Sequence, residues 1–285
     1  MESLDYLAVP PEERPDLLAS APHSAADRAA VELAADRLVA SIGPSDPANA
    51  ARLTEPPAGY TAPVGYFGAH VCLALLDAAR GNHAALGISE EVSRRSLGAF
   101  SNNLSRHRRI YGRGGLDGPE WVPRVFQGIV FHLGRLVFDR VRLGPALAAA
   151  TGGAPHDPAI GVHIPPTGPL RRDECLDSFA RAADFFPRYF PAEPAQVARC
   201  RSWLMDRQLA RYLPAQSNLV RFHELFTPCD DPRPGDEAIV EWVFETAAPA
   251  DWDALTPRTT LERAVLEHLR GGGHWQVALG WRPFR

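Results

Sequence analysis

Three groups of side chains in this sequence have the types and positions that chemistry on a neutral carbonyl would need. His163 ends the strand-like run Ala159-Ile-Gly-Val-His-Ile164 just before a double proline, and His274 directly follows the glycines 271–273. An imidazole titrates near neutral pH, so a histidine beside a chain break can serve as a general base, although either one can equally be structural. Ser202-Trp203-Leu204 and Ser217-Asn218 form the second group. At strand ends, Ser202 and Asn218 would set polar groups beside a reacting carbonyl; at turns they would satisfy backbone groups instead. No GxSxG elbow surrounds Ser202, which argues against a hydrolase nucleophile there. The third group is Pro257-Arg258-Thr259-Thr260-Leu261-Glu262, where Thr259 and Glu262 have capping-box spacing at a helix start. Free N–H groups, the helix dipole and Arg258 can together seat a phosphate, or the segment can be a plain cap.

Composition removes several other chemistries. All 30 basic residues are Arg, so a lysine-dependent phosphate loop, Schiff base or pyridoxal phosphate linkage is excluded. The four cysteines, Cys72, Cys175, Cys200 and Cys229, form no CxxC pair and read as buried core thiols in a reducing cytoplasm. Ten histidines give neither HExxH nor HxH, so no metal site is expected. With 34 acidic residues the net charge is -4, which does not suit a nucleic-acid binder. No apolar run reaches membrane-spanning length, and the N-terminus lacks a signal-peptide pattern. Arg109-Ile-Tyr-Gly112-Arg-Gly114 fits an [RQ]xxGx[GA] pyrophosphate-loop pattern, but so short a pattern arises by chance in a chain this long, and it falls in a helical region.

The elements that must hold these residues divide into two styles. To about residue 134 the chain reads as helix: Ser24 caps a segment ending at Gly43, residues 64–80 are apolar on most sides, and Ile88 to Leu104 is amphipathic. Val122, Val125, Phe126, Ile129 and Leu133 continue the helical spacing, whereas 135–143 alternates like a strand. Residues 144–158 are rich in breakers and read as a linker, giving domains 1–143 and 144–285. Beyond it, 159–164 and 197–204 read as strands and 173–190 as a helix with Leu176, Phe179, Ala183, Phe186 and Phe190 on one stripe. Residues 217–226 and 238–245 read as antiparallel strands, 260–270 as a helix and 274–281 as a last strand. The fold class is therefore α+β, a helical N-terminal part followed by a mixed α/β part.

The ordered set Gly161-Val-His-Ile-Pro165, Gly168-Pro-Leu170, Ser202-Trp-Leu204, Leu213-Pro214, Ser217-Asn218, Phe222, Thr259-Thr-Leu261 and Gly273-His-Trp275 resembles actinobacterial acyltransferases. Those proteins join a helical N-acyltransferase N-terminal domain to a GNAT-like C-terminal domain, and Trp121, Leu133-Gly-Arg-Leu136 and Phe138 fit the N-terminal side. Arg171 stands where a helix-capping Ser or Thr would be expected, and no glycine-rich donor loop is evident. The resemblance implies direct acyl transfer from an acyl-CoA or a phosphopantetheine thioester, with or without an acyl carrier protein, to an amine or hydroxyl of a small molecule. It implies that Arg258, Thr259 and Thr260 face the donor's diphosphate, that Asn218 or a backbone N–H polarises the carbonyl, and that His163, His274 or a water on Ser202 takes the proton. The alternative is a non-catalytic GNAT-like module that binds an acylated or phosphorylated partner.

Overall fold

In the computed structural model, which describes residues 2–44 and 46–284, the chain divides into the units Met1–His132 and Leu133–Arg285. The first unit is helical. Short helices α1 (Glu2–Tyr6) and α2 (Arg14–Ala19) lead to α3 (Ala25–Val39), which Ser24 caps by accepting from Asp27 N at 2.9 Å. α3 buries Val31, Ala35 and Leu38, one stripe at helical spacing. α4 (Phe67–Leu86) buries Phe67, Ala69, Val71, Cys72, Leu75, Leu76 and Ala79, the broad apolar surface of a core helix. The amphipathic stretch from Ile88 breaks at Gly98 into α5 (Glu90–Leu97) and α6 (Ala99–Tyr111). α7 (Val122–Phe126) stops before Gly128, whose φ of +69° ends the helix, so Ile129 and Leu133 do not continue it as their spacing had suggested.

The second unit is built on a sheet. β1 (Val130–Leu133) carries the chain across the division, and β2 (Leu136–Arg142) follows the turn at Gly134 and Arg135. The segment expected to be a linker contains α8 (Pro145–Thr151), and β2 pairs with β3 (Pro158–His163) from Val137 to Arg142. α9 (Arg172–Tyr189) crosses over from β3 to the parallel strand β4 (Val197–Ser202). It buries Cys175, Ser178, Phe179, Ala182, Phe185 and Phe186; Leu176 faces outward, because the buried stripe runs one position off the expected one. Phe179 and Phe186 meet Phe138 of β2 edge to face, at 5.6 and 6.5 Å between centroids.

After β4 come two 3-10 turns (Trp203–Met205 and Arg207–Arg211), α10 (Asn218–His223), β5 (Thr227–Pro234), α11 (Asp236–Phe244), α12 (Thr260–Arg270) and β6 (Gln276–Pro283). The sheet order is β1-β2-β3-β4-β6-β5. Two expected strands are thus helices, and the Pro- and Asp-rich connection between them is the strand. Ser217 starts α10 by accepting from Val220 N, and Ile239, Val240 and Val265 join Leu269 and Trp275 in one core cluster. The apolar run at 238–245 fits either period, and packing against α12 selects the helix. β5 tolerates three prolines because it is an edge strand whose ladder runs to β6, with its register shifting between Cys229 and Arg233.

Candidate active site

Where β3 and β4 run side by side they are joined, among the described residues, at only two positions, Ile160 with Ala198 and Gly161 with Arg199. Past those pairs β3 and β4 share no further register among the described residues, while β2 still follows β3 to His163 and β6 still follows β4 to Ser202. The pairing thus lapses toward the carboxyl ends of the parallel pair, an opening in the ladder at the place where open α/β sheets bind ligands.

His163 stands at that opening. Its Nε2 lies 2.9 Å from Asp139 Oδ1, and its side chain is 39% exposed while Asp139 is 5% exposed. Asp139 is the register partner of Gly161, so its carboxylate leans along β3 over the glycine to reach the histidine two residues on. A side chain at 161 would prevent this: a Cβ there would fall 1.9 Å from Asp139 Oδ1. Arg199 continues the same row across the sheet. Burial pulls its guanidinium below the usual arginine range, and the charge of Asp139 opposes that pull. The result is a buried carboxylate that orients a reachable imidazole, with a cation in register beyond it.

The loop 164–171 leaves the opening and leads into α9. Arg135 holds it from beneath, donating to the carbonyls of Pro165 (3.1 Å), Gly168 (3.0 Å) and Pro169 (3.0 Å). Gly168 takes a φ of +68°. Arg171 precedes α9 with extended backbone and makes no side-chain cap, and Asp173 does not cap in its place. The first-turn amides of an 18-residue helix are therefore not taken up by a capping side chain.

The other expected residues are scattered around this opening or away from it. Ser202 ends β4, but its Oγ accepts from Leu204 N at 3.1 Å and starts a 3-10 turn. Asn218 is the first residue of α10 and exposed, not at a strand end. His274 is 81% exposed, with Nδ1 2.7 Å from Asp236, whose other oxygen accepts from Trp275 N. At α12 the capping box closes on itself: Thr259 Oγ1 accepts from Glu262 N at 3.1 Å, and Glu262 accepts from Thr259 N and Arg258 N. Thr260 Oγ1 accepts from Arg263 at 3.2 Å. At the seat expected for a diphosphate, a carboxylate of the same helix thus takes the amides of Arg258 and Thr259. A surface groove of about 490 Å³ beside β5 and β6, bordered by Asp206, Arg207 and Gln276, contains none of the expected residues.

All four cysteines are buried and free. Burial pushes the Cys175 thiol up to about 11 and that of Cys200 to about 12, so neither is a thiolate nucleophile near neutral pH. Sequence reasoning reached His163 and missed Asp139, Gly161, Arg199 and Arg135. A signal for the first existed: an acidic residue among the apolar positions of the strand 135–143 needs a buried partner.

The sheet, with a parallel pair joined by a helical crossover and paired only over its first part, is that of an acyl-transfer domain of the GNAT type. Residues 130–282 match the GNAT-like C-terminal domain and residues 1–128 the N-acyltransferase N-terminal domain, and the chain belongs to the family that combines them. It is an acyltransferase. A crystal structure of an acyltransferase in complex with decanoyl-CoA is 34% identical, with a TM-score of 0.88 over 99% of this chain and 86% of that one. Similar chains, at 33% and 32% identity, TM-score 0.86 and the same coverage, are acyltransferases in complex with decanoyl-CoA and teicoplanin and with CoA and 10C-teicoplanin. Comparison with curated proteins gives no match. Among the described residues no helix is long and apolar enough to cross a membrane.

Proposed function

We propose that this enzyme moves a medium-chain acyl group from acyl-CoA to an amine of a glycopeptide, with the donor seated in the opening between β3 and β4. The observation that carries the reading is the lapse of β3–β4 pairing directly beside the His163–Asp139 pair. Similar enzymes that bind decanoyl-CoA and teicoplanin support the donor and acceptor classes. The diphosphate lies on the amides of loop 164–171 and the first turn of α9, rather than at Arg258, Thr259 and Thr260, where Glu262 takes the amides of Arg258 and Thr259.

The chemistry is direct transfer. With Nε2–H donated to Asp139, the Nδ1 lone pair of His163 is the base. The acceptor nitrogen attacks the thioester carbon, its proton passes to His163, the carbon–sulfur bond breaks, and the CoA thiolate leaves and takes up a proton. Holding the amine about 3 Å from the carbonyl supplies much of the rate. Beyond Arg199, β4 has β6 on one side and no β3 pairing on the other, so a backbone N–H there can polarise the carbonyl. In this reading the proton goes to His163 rather than to His274 or a water on Ser202, and a backbone N–H rather than Asn218 polarises the carbonyl. A CoA donor and four protonated thiols suit the cytoplasm.

The test is free-thiol release from decanoyl-CoA with teicoplanin as acceptor, with the acylated product identified by mass. Product with wild type and none with His163→Ala is the expected result. Transfer from a decanoyl acyl carrier protein but not from decanoyl-CoA would reassign the donor, and no product from either would defeat the reading.

A further inference from the structure

The turn between β1 and β2 is anchored twice to the donor side of the second unit. Arg135 N donates to Ser178 Oγ of α9 at 2.6 Å, and Gly134, with φ +76°, lies so close that a Cβ there would fall 2.5 Å from the same oxygen. The Arg135 guanidinium then spends Nε, Nη1 and Nη2 on the carbonyls of Pro169, Pro165 and Gly168. These are neutral acceptors, so they leave the positive charge in place; Glu174, whose charge reaches Arg135, has its ion pair with Arg171 at 4.0 Å.

The orientation this imposes is specific. Pro165, Pro166 and Pro169 have no N–H, so the loop's donors are few. Thr167 N is turned inward, onto Pro165 O at 2.8 Å. The peptide that gives its Pro169 carbonyl to Arg135 carries the Leu170 N–H on its opposite edge, because C=O and N–H of a trans peptide point apart. Leu170 therefore presents its amide away from the guanidinium, and the first turn of α9, which has no side-chain cap, follows two residues on.

We infer that Arg135 is a positioning residue for the donor: it aims the amides of loop 164–171 at the diphosphate by fixing the loop's carbonyls, and it places a positive charge behind them. The inference rests on the donor site proposed above. It assigns to Arg135 a part of the affinity that depends on the diphosphate and not on the thioester or the acyl chain. A substrate that lacks the diphosphate separates this from a general packing role.

The experiment compares kcat/KM for decanoyl-CoA and for decanoyl-pantetheine, with thermal melting as a control, in wild type, Arg135→Gln and Arg135→Lys. The Gln variant should raise KM for decanoyl-CoA roughly tenfold or more with kcat nearly unchanged, as loss of charge-assisted hydrogen bonds implies. Its kcat/KM for decanoyl-pantetheine should change less than about twofold, and the Lys variant, which keeps the charge without the fork, should lie between wild type and Gln. An unchanged KM for decanoyl-CoA, or equal losses on the two donors, would overturn the inference. Should Arg135→Gln fail to fold, the Lys variant decides, since it must still lose more on the CoA ester than on the pantetheine ester. Wild type that uses neither donor would remove the donor reading itself, and this inference with it.

Discussion

Gly161→Ala adds a single methyl group and is the sharpest probe of the His163–Asp139 pair. The new Cβ would lie 1.9 Å from Asp139 Oδ1, 3.0 Å from its Cγ and 3.5 Å from His163 Nε2. Ordinary contact needs about 3.5 Å, so the carboxylate has to retreat by roughly 1.5 Å. That movement breaks the 2.9 Å bond to the imidazole. A hydrogen bond to a charged group is worth about 1.5–3 kcal/mol, and each ~1.4 kcal/mol is a factor of ten in rate. The variant should therefore lose roughly 10- to 100-fold in kcat while KM for the donor changes little. Alanine suits a strand better than glycine by about 0.5–1 kcal/mol, which offsets part of the strain and keeps the protein folded. Initial rates of thiol release, with circular dichroism melts alongside, measure both quantities. A folded Gly161→Ala enzyme with wild-type kcat would refute the claim that Asp139 orients the base.

Three further outcomes follow from the same structure. His83 is buried, with Nδ1 2.9 Å from Ser93 Oγ, and desolvation lowers its pKa from 6.5 to about 4. The unfolded chain then binds the extra proton first, so stability is full above about pH 6.5 and falls on acidification toward pH 4, by on the order of 3 kcal/mol. Half-buried His70 and buried His223 shift in the same direction; thermal melts from pH 7.5 to 4.5 should show the loss, and His83→Gln should reduce it. Iodoacetamide at pH 7.5 should leave activity intact over the time that modifies a free thiol, since Cys72, Cys175 and Cys200 are buried and their thiols are raised; rapid inactivation would contradict this. Thr259→Ala should cost about 1 kcal/mol of stability through the lost cap and leave KM for acyl-CoA unchanged, whereas a several-fold rise in KM would return the diphosphate to α12.

Local signals in the sequence were readable wherever one residue type dictates one geometry. Ser24 and Thr259 cap helices, the strands at 136–142, 158–163 and 197–202 were legible, and His163 was placed at the end of its strand. Apolar runs that satisfy two periods were not readable: 238–245 folds as helix because α12 and Trp275 offer it a core, and the prolines of 227–234 concealed an edge strand. The site was half legible for a related reason. Asp139 lies 24 residues from His163 in the chain and becomes its partner only through the β2–β3 register, with Gly161 clearing the space between them. Arg135 likewise meets its loop across about 30 residues. The capping box at Thr259 was read correctly as local chemistry, and its Glu262 carboxylate takes the amides of Arg258 and Thr259.

The position of a bound donor bears most directly on the whole account. A crystal structure with decanoyl-CoA should show the diphosphate on the amides of loop 164–171 and the start of α9, and the thioester between β3 and β4 within reach of His163. A diphosphate bound at Arg258 and Thr260, or a thioester remote from His163, would contradict it.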